Sequence, residues 1–323
     1  MRTALVAALV ALSTAAPAAI AAEQPFPTKP IRLLVPFTPG GGADLVARML
    51  APRLSERFGG QSVVVDNRPA AAGVLAAEMV ARATPDGHTL LTATSNHVAN
   101  PSFIPNLPYD TIKDFAPVTQ AVISPLVMVI HPSVPAATLQ EFITYARANP
   151  AKLNYGSTGN GSPPFLAAEL FNQMAKTKIT HIVYKGVSQA LTANLANEIQ
   201  VLFPNIFVSQ PHIRGGRLRA MGITSQQRSP AAPDWPTLAE AGLPGYEASI
   251  WYGFLAPAKT PKPIVARWQQ EIAAILQQPD VRQTIVSQGG TAVGNTPEEF
   301  ARVLRDETAR IAALVKSAGL RVD

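Results

Sequence analysis

Short apolar runs alternate along the chain with longer segments whose apolar positions recur every third or fourth residue. After a lead-in at Pro25, Pro27 and Pro30, the run Ile31-Arg-Leu-Leu-Val35 has the length and branched side chains of a strand. Val46, Leu50, Leu54 and Phe58 then fall at helical spacing. Pro52 lacks the donor for one backbone bond and is expected to kink that helix, and Gly59-Gly60 stops it. The pattern next predicts a strand over 62–66, a helix over 74–82 and a strand over 89–94. Strand and helix alternating at this interval argue for an α/β fold built on a parallel sheet.

A second series begins near Leu126, with a strand over 126–130 and a helix over 139–148. A strand near 153–155 leads to a helix starting at Pro163-Pro164, and strands follow over 179–183, 199–203 and 218–223. The Pro/Gly-rich stretch 230–245 then delivers the chain to Ile250-Trp-Tyr-Gly-Phe-Leu255, beyond which the pattern is mostly helical. Thr296, Pro297 and Glu299 form a capped helix start. A strand returning after a complete second α/β unit predicts discontinuous lobes, 27–124 joined with 250–323 as one and 125–249 as the other.

The N-terminus sets the compartment. Met1-Arg2 is positive, Ala4 to Leu12 is apolar, and Ala19-Ile20-Ala21 offers small residues to a peptidase, so residues 1–22 read as a cleaved secretory signal. Ser13, Thr14 and Pro17 interrupt the run short of the roughly 18 apolar residues a membrane anchor needs. The mature protein is therefore expected to be soluble and exported. At roughly 100–200 residues per domain, 323 residues suggest two lobes with ample chain to bury a core. The absence of cysteine excludes a disulfide-stapled scaffold and a zinc-thiolate site.

Removing the leader takes away one of the 27 basic residues and none of the 21 acidic, leaving a formal charge of +5 in place of +6. The densest basic run, Arg214-Gly-Gly-Arg217-Leu-Arg219, has no aromatics interleaved for base stacking, so nucleic acid is not the expected partner. A small anion suits a mildly positive surface better.

Thr38-Pro-Gly-Gly-Gly42, between a strand and a helix, frees backbone N–H groups beside the positive end of a helix dipole, as a carboxylate or phosphate requires. A tight turn with no ligand is the plainer reading. No Gly-Lys-Ser/Thr follows, and Leu45 stands where a dinucleotide fingerprint needs its third glycine. Asp44 is expected to support the first helical turn and pair with Arg48 four residues on. Gly156-Ser-Thr-Gly-Asn-Gly-Ser162 repeats the logic in the second half, although a capped helix start with Ser162 as N-cap also explains it. It is one residue too short for a nucleophile elbow. Two such turns, one per lobe, would face each other across a cleft at the strands' carboxyl ends. The five histidines show no metal-ligand spacing. Trp251 reads as core rather than a stacking platform, and Arg68 as one half of a structural ion pair.

Lys29-Pro-Ile-Arg-Leu-Leu-Val-Pro-Phe-Thr-Pro-Gly-Gly-Gly-Ala-Asp44 resembles the start of a mature Bug/TctC receptor, the substrate-binding component of tripartite tricarboxylate transporters. The resemblance continues through Asn67-Arg-Pro69, Pro85-Asp-Gly87, Tyr155-Gly-Ser-Thr-Gly159, Tyr184-Lys-Gly186, Pro236-Thr-Leu-Ala-Glu-Ala-Gly242 and Trp251-Tyr-Gly253. It implies a two-lobed α/β periplasmic binding protein, a type II-like Venus flytrap closing its central cleft on a small organic carboxylate. Delivery to membrane permease subunits is implied too, by a monomer with no cofactor, no metal and no chemistry done on the ligand. By the same resemblance Phe37, Thr38, Gly40, Gly41 and Gly42 bind the ligand together with Ser157, Thr158 and Gly159, while Ser95, Asn96 and Asn205 line the cleft.

Three positions depart from the family's usual pattern. Ala70-Ala71-Ala72 replaces Gly-Ala-Gly, Phe165 replaces a common histidine, and Pro204-Asn205 replaces an Asp-Asn or Asp-Ser pair. Losing that acceptor and gaining apolar surface favour a dicarboxylate or an aromatic acid over an amino acid. Two rival readings use the same scaffold. One is a sensory module presenting its ligand to a membrane kinase. The other is an enzyme, which would need a convergent acid, base or nucleophile in the cleft.

Overall fold

In the computed structural model the described residues are 26–320 apart from Ala70, so the expected leader lies outside them. The first strands are β1 (Ile31–Val35), β2 (Val63–Asn67), β3 (Thr89–Thr94) and β4 (Phe115–Pro125). A second group follows: β5 (Val127–Ile130), β6 (Asn154–Ser157), β7 (Thr180–Val183), β8 (Val201–Leu202) and β9 (Arg219–Ile223). The chain then returns through β10 (Ser249–Pro257) and β11 (Thr291–Ala292). The helices are α1 (Gly42–Arg57), α2 (Val74–Ala81), α3 (Asn96–Phe103), α4 (Leu139–Ala148), α5 (Pro163–Ala175), α6 (Val187–Leu195), α7 (Ile206–Arg214), α8 (Lys262–Leu276), α9 (Pro279–Ser287) and α10 (Pro297–Ala318).

Two sheets result, one ordered β11-β4-β10-β3-β1-β2 and the other β7-β6-β8-β5-β9. The parallel sheet expected from the alternation is only partly present. β1 runs parallel to β2 and β3, and β6 parallel to β7 and β8, but β10 is antiparallel to β3 and β4, and β5 antiparallel to β8 and β9. The reason is the path of the chain. β4 carries it out of the first sheet into β5, and β9 leads it back to β10, so the outgoing and returning strands point in opposite directions. Among the described residues no helix stands between β4 and β5 or between β9 and β10, so neither passage is the helical crossover that joins parallel neighbours.

β4 carries Pro117 and Pro125, residues that argue against a strand in sequence. Pro117 pairs with Leu255 at a register shift, where a missing ladder donor is tolerated. Helix α1 runs through Pro52, and α10 starts with the expected reciprocal cap, Thr296 accepting from the Glu299 N–H while Glu299 reaches back. α8 packs on α1 and β4, and α10 on α3, β4 and α5, so the C-terminal helices clothe the first sheet and touch the second unit. The units also meet where Phe103 of α3 lies edge-on to Phe165 of α5, with centroids 5.7 Å apart.

Two backbone and burial features generate tests. Ala72, where the family resemblance leads one to expect glycine, adopts φ 55°, ψ 26°. A side chain there costs about 1–2 kcal/mol, against about 0.5–1 kcal/mol of extra chain entropy for glycine. Ala72→Gly is expected to raise stability by about 0.5–1 kcal/mol in a urea titration.

His97 is buried between Tyr109 and Phe115, with Nε2 3.0 Å from the Thr111 carbonyl. Burial pulls its pKa down to about 4, outweighing that hydrogen bond. The unfolded chain takes up the proton near pH 6.5 and the folded one does not. The stabilisation is thus complete above about pH 6.5 and is lost as pH falls towards 4, by up to about 3 kcal/mol. Urea titrations at pH 7, 5.5 and 4.5 are expected to show this slope, and His97→Gln to flatten it.

Candidate ligand-binding site

The turn between β1 and α1 is organised by one buried carboxylate. Asp44, 2% exposed, accepts the Gly40 N–H at 2.9 Å, the Asn67 side-chain amide at 2.9 Å and the Arg48 Nε at 2.9 and 3.0 Å. Asn67 also donates to the Phe37 carbonyl at 3.0 Å and accepts from Arg48 Nη2 at 3.0 Å, tying the turn to the end of β2. Burial pushes the Asp44 carboxyl up, but the bonds from Arg48, Gly40 and Asn67 outweigh it and hold the group below the usual carboxylate range. With Gly40 so committed, the donors left at the helix start are the first N–H groups of α1, which have no intrahelical acceptor.

These groups open on a cavity of about 680 Å3 between the two units. Thr38, Gly40, Gly41 and Gly42 line one wall, and Gly186, Ser188, Asn205 and Phe207 the other. Its floor is formed by the crossing strands. Ser124 of β4 and Tyr252 of β10 are both buried there, and Asn205 sits 3.5 Å from the Ser124 hydroxyl. Burial pushes the Tyr252 phenol up to about 12, partly offset by its hydrogen bond with Asn205. A Cβ at Gly42 would overlap the Tyr252 hydroxyl, so the helix start approaches the floor only because this residue is glycine.

Of the residues expected in the site, Thr38, Gly40, Gly41, Gly42 and Asn205 come together in this cavity. Phe37 and Asn96 line a small void of about 10 Å3 beside Gly73 and Asn100. Ser95 lines a separate 340 Å3 cavity between α5 and α10. Ser157, Thr158 and Gly159 are not in the cavity lining. Ser157 is 1% exposed, its hydroxyl 2.6 Å from His181 Nε2 and 3.0 Å from the Gly159 N–H, while Thr158 is exposed. His181 stacks on Tyr155 and touches Phe165, and burial lowers its pKa. The Ser157 hydroxyl is thus enclosed within the second unit, turned to His181 and the Gly159 amide.

Other readings also meet the structure. Trp251 is buried in the core, donating to Glu307 at 2.5 Å and meeting Phe300 edge-on. Arg68 pairs with Asp66 at 2.9 Å, and Phe165 is 4% exposed among aromatic rings instead of facing the cavity. No group of three or more histidines and carboxylates among the described residues could hold a metal. No helix among them is long and apolar enough to cross a membrane. Ser124, Ser188, Phe207 and Tyr252 were not anticipated, although Tyr252 stands inside the Trp251-Tyr-Gly253 motif.

A family profile described as Tripartite tricarboxylate transporter family receptor, TctC, matches residues 46–320. The chain belongs to this receptor family. BugT of Bordetella pertussis is 34% identical over 313 residues, covering 96% of each chain. Among solved structures, R. palustris Rpa4515 with adipate has a TM-score of 0.82 at 34% identity, covering 91% of this chain and 98% of its own. MatC from Rhodopseudomonas palustris with bound malate has a TM-score of 0.79 at 33% identity, covering 90% of this chain and 100% of its own. The two-lobed α/β architecture of periplasmic binding proteins is therefore that of this receptor too. The family members named here are substrate-binding receptors.

The close fit of Gly42 to Tyr252 is testable without a ligand. Gly42→Ala is expected to destabilise the receptor by about 1–3 kcal/mol through overpacking. Tyr252→Phe in the same chain removes the overlapped hydroxyl but keeps the ring carbon behind it, and should recover only part of that loss in chemical denaturation.

Proposed function

We propose that this protein is a periplasmic solute receptor that binds a small organic carboxylate and hands it to a tripartite tricarboxylate-type membrane permease. The observation that carries the reading is the start of α1, held rigid by the Asp44 network and presented to the cavity opposite Asn205. A carboxylate held by backbone and hydroxyl donors is stabilised by charge-assisted bonds without a buried counter-charge. Adipate and malate, bound by two structural neighbours, are both carboxylates, which supports the same ligand chemistry here.

In this reading residues 27–124 with 250–323 form one lobe and 125–249 the other, hinged where β4 meets β5 and where the chain returns to β10. Closure brings Thr158, the exposed member of the turn after β6, towards the ligand beside the Gly186 to Ser188 segment that lines the cavity. Export places the mature receptor in the periplasm.

A thermal-shift screen over organic acids tests this. A carboxylate at 100 times its dissociation constant is expected to add about 2.7 kcal/mol of stability. Gly41→Val, which puts a side chain at the cavity wall, should abolish the shift. A screen in which no carboxylate moves the transition would sink the reading.

A further inference from the structure

The cavity changes character from floor to mouth. Its floor is polar, with Ser124, Asn205 and the Tyr252 hydroxyl beside the start of α1. Its mouth carries large apolar side chains that water still reaches. Phe207 is 57% exposed, Leu45 44% and Val208 38%, and all three line the cavity. They stand on opposite walls, Leu45 on α1 and the other two on α7. Behind them Met49 and Leu191 continue the apolar surface from either side. Exposed apolar groups gathered around one opening mark a binding groove, whereas scattered ones would need no explanation.

The charges around the cavity narrow the choice. Among the described residues lining it, Arg48 alone carries a formal charge, and its guanidinium is already bound to Asp44 and Asn67. A ligand ammonium would find no carboxylate in the lining, and a second ligand carboxylate at the mouth would find neither an unpaired cation nor the helix-start N–H groups that hold the first. Ser188 and Thr284 at the mouth are neutral. Desolvating a second charge against Phe207 and Leu45 would go uncompensated.

We propose, on the basis of the carboxylate-receptor reading above, that the site is selective for a monocarboxylate with an aromatic or branched apolar body, and that Phe207 is its specificity-determining residue. The carboxylate sits at the start of α1 and the apolar body lies between Leu45 and Phe207, where closure removes both side chains from water. An aromatic ring meets the Phe207 ring edge-on or offset, which a short dicarboxylate cannot do.

Calorimetric titration of the purified mature receptor with phenylacetate, 4-methylvalerate, malate, adipate and glutamate tests the assignment. Phenylacetate or 4-methylvalerate is expected to bind about tenfold or more tighter than malate, adipate or glutamate. Phe207→Ala should weaken the apolar acids about tenfold while changing adipate and malate less than about twofold, and Leu45→Ser should act in the same direction. If malate, adipate or glutamate binds tightest, the selectivity is overturned while the carboxylate reading stands. If Phe207→Ala weakens every acid equally, Phe207 serves lobe closure and not ligand choice, which also overturns the proposal. If none of the five acids binds, the apolar-acid assignment is overturned, and the carboxylate reading falls with it only when the thermal-shift screen over organic acids is negative too.

Discussion

The pairing of β4 with β10 is the constraint on which the rest of the molecule depends. One strand takes the chain out of the first sheet and the other brings it back, so they must lie side by side and antiparallel. Ile250 opposes Ser124 and Tyr252 opposes Val122 in that ladder. The floor of the cavity is therefore made of the same backbone that joins the two units. A shift of register here would turn Tyr252 to the other face and remove it from Gly42 and Asn205 together. The geometry of the cavity floor and the connection between the two units are one structural fact.

The second organising element is smaller. Asp44 is a buried anion at the positive end of a helix, an arrangement that satisfies the turn at the cost of occupying one of its amides. By taking the Gly40 N–H and holding Arg48, it removes both from competition for a ligand. The cavity wall that remains at the start of α1 is built of neutral dipoles. Such dipoles bind an anion without introducing a cation that would hold any passing acid equally well.

Much of this organisation is legible in sequence, and several of the exceptions share a cause. The strand over 89–94 and the helix over 139–148 have the bounds that pattern predicts, because each is a clean apolar run or period between turn residues. β4, α3 and α7 escape because each contains proline: Pro117 and Pro125, Pro101, and Pro211. Local preference there argues against an element that tertiary pairing imposes. The glycine turn of the site is readable because its chemistry is local. Phe207 and Tyr252 are not, since an aromatic residue in an apolar run is ordinarily core, and only the meeting of separate elements puts these two in a cavity. Phe165 shows the converse. Its apolar surface is real, but it is spent on Phe103, Tyr155 and His181.

The place of β10 in the first sheet has a consequence for how the protein comes into being. It lies between β3 and β4, yet it is made after every strand of the second sheet. Until residues 249–257 emerge, β3 and β4 each present an open edge, and the sheet has a gap at its centre. The second sheet, continuous in sequence, suffers no such delay. The first sheet is thus completed only by contacts between distant parts of the chain, which are slow to form. A sheet that matures late in this way leaves the edges of β3 and β4 unpaired while the rest of the chain is made, and unpaired edges invite pairing with other chains.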